Sequence, residues 1–167
     1  MEGEITIKLR QISEYDINLL VEWFNDKEGT RYMEDPVDIY TAEYLRERIN
    51  KESYDFIATL DDKPIGFCSI YNLKDRTGEI SILIGNKETR GKGYGEEMLK
   101  ELCNYGFRIY RLKELFASVD ERNIASLRAF HHLGFNEITE QNGFVLLKRE
   151  ESSIKYTREI IKSYSNI

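Results

Sequence analysis

The chain is poor in the residues that build special frameworks. Its 167 residues include two cysteines, two prolines, two histidines and one tryptophan. Cys68 and Cys103 are too few and too far apart for a disulfide scaffold or a cysteine-rich zinc site, and read as buried small hydrophobes. His131 and His132 adjoin each other on an apparent helix, where consecutive side chains diverge by about 100° and do not readily share one metal. No metal is expected. The longest apolar run is Phe144–Leu147, four residues against the roughly 20 of a spanning helix, which excludes a transmembrane helix. Met1-Glu2-Gly3-Glu4 places acids where a secretory signal needs a basic segment before an apolar one, so a cytoplasmic protein is expected. Positive charge is also short, with 24 Lys and Arg against 30 Asp and Glu, a net −6. Such a balance suits neither nucleic acid nor an anionic membrane as partner.

Hydrophobic periodicity orders what is present. Ile5, Ile7 and Leu9 alternate as a first strand. Ser13-Glu14-Tyr15-Asp16 resembles a capping box, and Ile17, Leu20, Val21 and Phe24 follow at helical spacing to about Asn25. Residues 26–38 are polar and turn-rich, and Thr41 can cap a second helix through Tyr44, Leu45 and Ile49. Phe56–Leu60 and Ile65–Tyr71 flank Asp61-Asp62-Lys63 as a hairpin, and Glu79–Ile84 adds a strand. A glycine-rich loop at 90–95 precedes a helix with Met98, Leu99, Leu102, Cys103 and Phe107 on one stripe. Leu115, Ala117 and Val119 alternate in another strand. Helix 124–133 stops at Gly134, and two strands joined at Asn142-Gly143 close the order βααβββαβαββ. This order predicts a mixed α/β sheet with helices on both faces. One domain is expected over residues 1–149, with a tail at 150–167 whose Ile154, Thr157, Ile160, Ile161 and Tyr164 fit a helix or an interface element.

The most informative stretch is Arg90-Gly91-Lys92-Gly93-Tyr94-Gly95, set between a strand and a helix. Alternating glycines there leave backbone N–H groups unobstructed at a helix N-terminus, an arrangement that favours phosphate. Arg90 and Lys92 add positive charge to an otherwise acidic chain. The pattern G-x-x-x-x-G-K-[ST] is absent, and the glycine spacing is not that of G-x-G-x-x-G, so neither common nucleotide motif applies.

R-x-x-G-x-G in this position resembles the pyrophosphate loop of the GNAT superfamily of acyl-CoA N-acyltransferases. Asn123-Ile124-Ala125-Ser126, Phe130 and Leu133-Gly134-Phe135 resemble a second motif of that family, and the likeness extends over about residues 5–149. It implies the GNAT fold, in which strands 79–84 and 115–120 splay to admit a pantetheine arm, with acetyl-CoA as co-substrate. It further implies that backbone groups of Ile82, Leu83 and Ile84 pair with the pantetheine amides, and that Arg90, Gly91, Lys92, Gly93, Tyr94 and Gly95 hold the diphosphate. Asn123 would bond the cofactor arm, with Ser126 one turn later on the same face. Asparagine at this point also serves as a plain N-cap.

Attack of an amine on a thioester needs a proton acceptor, and Glu79 is the candidate base, acting directly or through water. Its competing reading is a solvated carboxylate at a strand start. A backbone N–H near Leu83 or Ile84 is the expected oxyanion donor. Many relatives place tyrosine at the position of Phe130 to protonate the departing thiolate. Phenylalanine cannot donate, leaving water, Tyr94 or Tyr105 as substitutes. The same residue admits a different class of function, a silent acyl-CoA-binding module. Family resemblance assigns acceptor choice to residues 23–49, where Asp26, Glu28, Glu34, Asp35 and Asp38 outnumber the bases. Tyr32–Pro36 resembles spermidine acetyltransferases, making Glu34 and Asp35 candidate substrate residues. A polyamine, a protein N-terminus, an aminoglycoside and an amino sugar all remain open as the small-molecule or peptide amine. A homodimer is a family-level expectation. Trp23 reads as core.

Overall fold

The computed structural model describes residues 6–34 and 36–151. Ile5 of the first expected strand and the body of the tail lie outside them. The strands are β1 (Ile7–Gln11), β2 (Tyr54–Leu60), β3 (Lys63–Lys74), β4 (Thr77–Ile84), β5 (Glu114–Asp120), β6 (Asn136–Gln141) and β7 (Phe144–Glu150). The helices are α1 (Ile17–Asn25), α2 (Ala42–Arg48), α3 (Tyr94–Asn104) and α4 (Ile124–His132). This is the expected order. β7 takes in Glu150, and the Glu151 N–H donates to Lys113 O at 2.8 Å, so the sheet runs slightly past the boundary drawn at 149.

The strands form one seven-stranded sheet in the order β1-β2-β3-β4-β5-β7-β6. Its hairpins are set by local chemistry. Asp61 and Asp62 have φ of 49° and 62°, and Asn142 and Gly143 have 53° and 80°, the left-handed pairs that tight two-residue hairpin turns demand. Every ladder is antiparallel except β4–β5, which is parallel and covers only Thr77↔Glu114, Gly78↔Leu115 and Glu79↔Phe116. Beyond Glu79 the two strands part, as the resemblance implied.

The two faces of the sheet carry separate cores. Phe56, Ala58, Cys68, Ile70 and Ile80 pack on one side with Met98, Leu99, Leu102 and Cys103 of α3. Both cysteines are free and buried. Ile57, Phe67 and Leu83 pack on the other with Leu20 and Trp23 of α1 and Leu45 of α2. Pleating explains the division, because successive residues of β2, β3 and β4 point to opposite faces. The α3 stripe reaches Phe107 through a wider π-helical turn at Tyr105–Ile109. The entry to α1 is a 3-10 turn at Glu14–Asp16. There the Ser13 N–H donates to the Asp16 carboxylate at 2.8 Å, and Arg10 grips both Asp16 oxygens at 2.8 Å.

Candidate functional site

The site lies where β4 and β5 separate. On the β5 side, Ile80–Ile84 of β4 has no strand partner among the described residues, whereas on its other side it pairs with β3 throughout. Directly after β4 comes the glycine loop. Gly91 has φ 72° and Gly93 φ 83°, and a Cβ placed on either would meet nothing within 4 Å. Gly93 caps α3. The loop therefore presents a concave backbone surface at a helix N-terminus, whose free N–H groups and dipole suit an anion. Gly95, in the first turn, lies close enough for a Cβ to reach Ile84 Cδ1 at 3.3 Å.

A hollow of about 410 Å³ runs from this loop along Ile82, Leu83 and Ile84 to Asn123, Ser126 and Ala129 of α4. It continues into an inner cavity of about 200 Å³, walled by Ile80 and Ser81 of β4, Ser118 and Val119 of β5, Phe130 of α4 and Tyr71 of β3. Glu34 contributes to this inner wall from the α1–α2 loop. Asp35 lies outside the described residues. The Asn123 side chain accepts the Ser126 N–H at 3.2 Å, so it is the N-cap of α4 while also facing both spaces.

The glycines, Ile82–Ile84, Asn123 and Ser126 are thus brought together. Arg90 lines the hollow and also has a structural part. Its Nε donates to Ile84 O at 3.0 Å, and its Nη2 to Asp26 Oδ2 at 2.8 Å and Gly85 O at 3.2 Å. Three of its five N–H groups are committed to holding the loop against the end of α1. Gly29 permits this, since a Cβ there would fall 2.5 Å from Arg90 Nη2. Lys92 is exposed and lines neither space. The Tyr94 ring packs on the α3-side core, and Tyr105 lies against Phe56 at 4.9 Å. Neither borders the inner cavity. Phe130 is buried edge-on to Phe135.

Glu79 precedes the cavity wall by one residue. Its carboxylate accepts a hydrogen bond from the Asn72 amide. Across the cleft mouth, Tyr32 of the α1–α2 loop stands beneath Arg31 and Arg122, whose guanidinium carbons lie 4.8 and 5.6 Å from the ring centre. Arg122 is in turn held bidentately by buried Asp120, at 3.0 and 2.7 Å. Sequence reasoning missed Tyr32 as a contact across the cleft and Tyr71 as a cavity residue. The β3–β4 register, which sets Tyr71 opposite Glu79, could have found the latter.

These ion pairs have a pH consequence. The Arg122 side chain and N–H hold the Asp120 carboxyl down to about 2, and Arg90 lowers Asp26. A carboxylate depressed in the folded state stabilises above its unfolded pKa, about 3.9, and that contribution disappears as pH falls through the folded value. Thermal melts should therefore show Tm declining between about pH 4 and pH 2, with a shallower decline in Asp120→Asn. Parallel slopes for the two proteins would contradict this assignment.

The model of the "Acetyltransferase (GNAT) domain" matches residues 6–136. The spermidine N(1)-acetyltransferase of Escherichia coli K12 is 25% identical over 144 residues, covering 81% of this chain and 76% of the relative. The crystal structure of a Vibrio cholerae spermidine N-acetyltransferase with CoA and spermine superposes with TM-score 0.77 at 20% identity, covering 87% of this chain and 96% of that one. An aminoglycoside acetyltransferase solved with coenzyme A gives TM-score 0.73 at 20% identity, over 92% and 99% of the two chains. With a family model spanning most of its length and the parted sheet in place, the chain belongs to the GNAT acetyltransferase family.

Proposed function

We propose that the protein transfers the acetyl group of acetyl-CoA to a primary amine by direct attack within a ternary complex. The observation that carries this reading is the parting of β4 and β5 at Glu79, which joins a glycine-lined hollow to an inner cavity. The residues fit the donor. Gly91, Gly93 and Gly95 leave room for a diphosphate at the N-terminus of α3, with Arg90 and the Tyr94 backbone framing the loop. Lys92 supplies positive charge from outside it. The unpaired edge of Ile82, Leu83 and Ile84 offers hydrogen bonds to the amides of an extended arm, and Asn123 and Ser126 face the same space. The donor supplies an activated acetyl carbonyl. Glu79 is the base that frees the amine, and Glu34 and Asp35 favour a cationic acceptor. Polyamines, aminoglycosides, amino sugars and protein N-termini are the candidate acceptors, and the spermidine acetyltransferase likeness puts polyamines first.

Release of coenzyme A thiol from acetyl-CoA with spermidine, spermine, kanamycin, glucosamine and a short peptide tests the reading. Turnover is expected with at least one amine, falling about 100-fold or more in Glu79→Gln, the scale of a lost general base. Phe130 supports one other reading, a silent acyl-CoA-binding module. Tight coenzyme A binding with no turnover on any amine would select it. No thermal shift with coenzyme A would sink both.

A further inference from the structure

Glu79 does not border the inner cavity where an acceptor amine would meet the donor; the wall begins at Ile80. Its carboxylate accepts a hydrogen bond from Asn72, which lines an open groove of about 1550 Å³ between the end of β3 and the segment that joins α2 to β2. Tyr71 is the residue that lines both the groove and the cavity. In the β3–β4 ladder it stands directly opposite Glu79, and paired residues of an antiparallel ladder project from the same face with Cβ atoms about 5 Å apart. Across the cavity from it stands Phe130, which has no proton to give.

We propose that Tyr71 is a catalytic residue of the transfer, its hydroxyl carrying the acceptor's proton out of the cavity to the Glu79 carboxylate. This rests on the acetyl-transfer reading above. An ammonium N–H proton passes to Tyr71 Oη while the phenolic proton passes to Glu79, leaving a neutral amine, a neutral phenol and a protonated carboxyl. The amine nitrogen then bonds to the thioester carbonyl carbon. The C–S bond breaks with its electron pair on sulfur, and the surplus N–H proton of the new amide ends on the thiolate. Glu79 releases its own proton to the water of the groove, and the relay is reset.

The surroundings suit a relay that never has to hold charge. Burial first, then Glu79 and Glu34, push the Tyr71 phenol up to about 12, so it stays protonated through the working range. Within the cavity the other charged group is Asp120, already paired with Arg122. On the groove side stand Glu47 and Arg48 of α2, Lys51 and Glu52 of the following turn, and Lys74 of β3. The remaining cavity hydroxyls are those of Ser81, Ser118, Ser126 and Tyr32. Ser81 is two residues along the same face from Glu79 but bears a short side chain, Ser118 and Ser126 belong to β5 and α4, and the Tyr32 ring is stacked on two guanidiniums, whereas Tyr71 is the one paired with Glu79 in the ladder.

The test compares wild type, Tyr71→Phe, Glu79→Gln and the double variant, using acetyl-CoA and whichever amine of the panel turns over fastest, from pH 6 to pH 10. Thermal shift with coenzyme A confirms that each is folded. Phenylalanine keeps the ring, so a merely structural role would leave the rates alone. The expected result for Tyr71→Phe is a kcat about 30-fold lower or more, with KM for acetyl-CoA within about twofold and the acid limb of kcat/KM altered as in Glu79→Gln. The double variant should be no more than about threefold slower than the worse single variant, as for two parts of one relay. Tyr71→Phe that keeps its rate and pH profile while Glu79→Gln is impaired would overturn the proposal, as would losses that multiply. A wild type inactive on every amine would remove the acetyl-transfer reading and this proposal together.

Discussion

Replacing Gly93 by aspartate is expected to leave the protein folded and to weaken coenzyme A binding about 100-fold or more, ~2.7 kcal/mol. The backbone at Gly93 is left-handed, φ 83°, a conformation that aspartate tolerates better than most residues. A Cβ there touches nothing within 4 Å, so the fold has no steric objection. The new carboxylate would also sit at the start of α3, where negative charge favours the helix. All of the penalty therefore falls on a diphosphate competing for the same N–H groups. Calorimetric titration with coenzyme A beside a thermal melt checks both halves. Unchanged affinity would show that the diphosphate binds elsewhere. Gly93→Ala should lose less, because it brings no charge.

Gly85→Ala is expected to have the opposite character, a large loss of stability at a residue far less conspicuous in the sequence. An added Cβ would lie 1.9 Å from Trp23 Cδ2, within the ring of a residue that is itself buried in α1. Nor is the backbone free to retreat, since the N–H groups of Gly85 and Asn86 both donate to Ile65 O at 2.9 and 3.0 Å. The expected loss is about 3 kcal/mol, a fall in Tm of roughly 6–12 °C for a chain of this size. In a Trp23→Leu background the same change should cost under ~1 kcal/mol, because the ring that obstructs it is gone. Full additivity of the two would place the clash elsewhere.

Local signals carried most of the fold. The α3 stripe, the hairpins at Asp61-Asp62 and Asn142-Gly143, and the stop at Gly134 depend on residues near one another in the chain, and periodicity and turn chemistry describe such residues well. The glycine loop was legible for the same reason. The ion pair of Arg90 was not. Its partner is Asp26, 64 residues earlier, and no local pattern marks a pairing across that distance. Hydroxyls such as those of Tyr94 and Tyr105 can be counted in a sequence, whereas the direction of a ring depends on packing. Tyr71 was hidden at a strand end that reads as ordinary β structure until the ladder sets it against Glu79.

The gap between β4 and β5 has a wider implication. Most sheets expose their unpaired backbone at the rim, where any extended chain can add and where aggregation begins. Here a bare edge is recessed inside the molecule, between a helix cap and the α1–α2 loop. Flanked in this way, the edge lies away from the rim where another protein's strand would add, and a slender guest bearing its own amides, as in the donor proposed above, would finish the ladder from within.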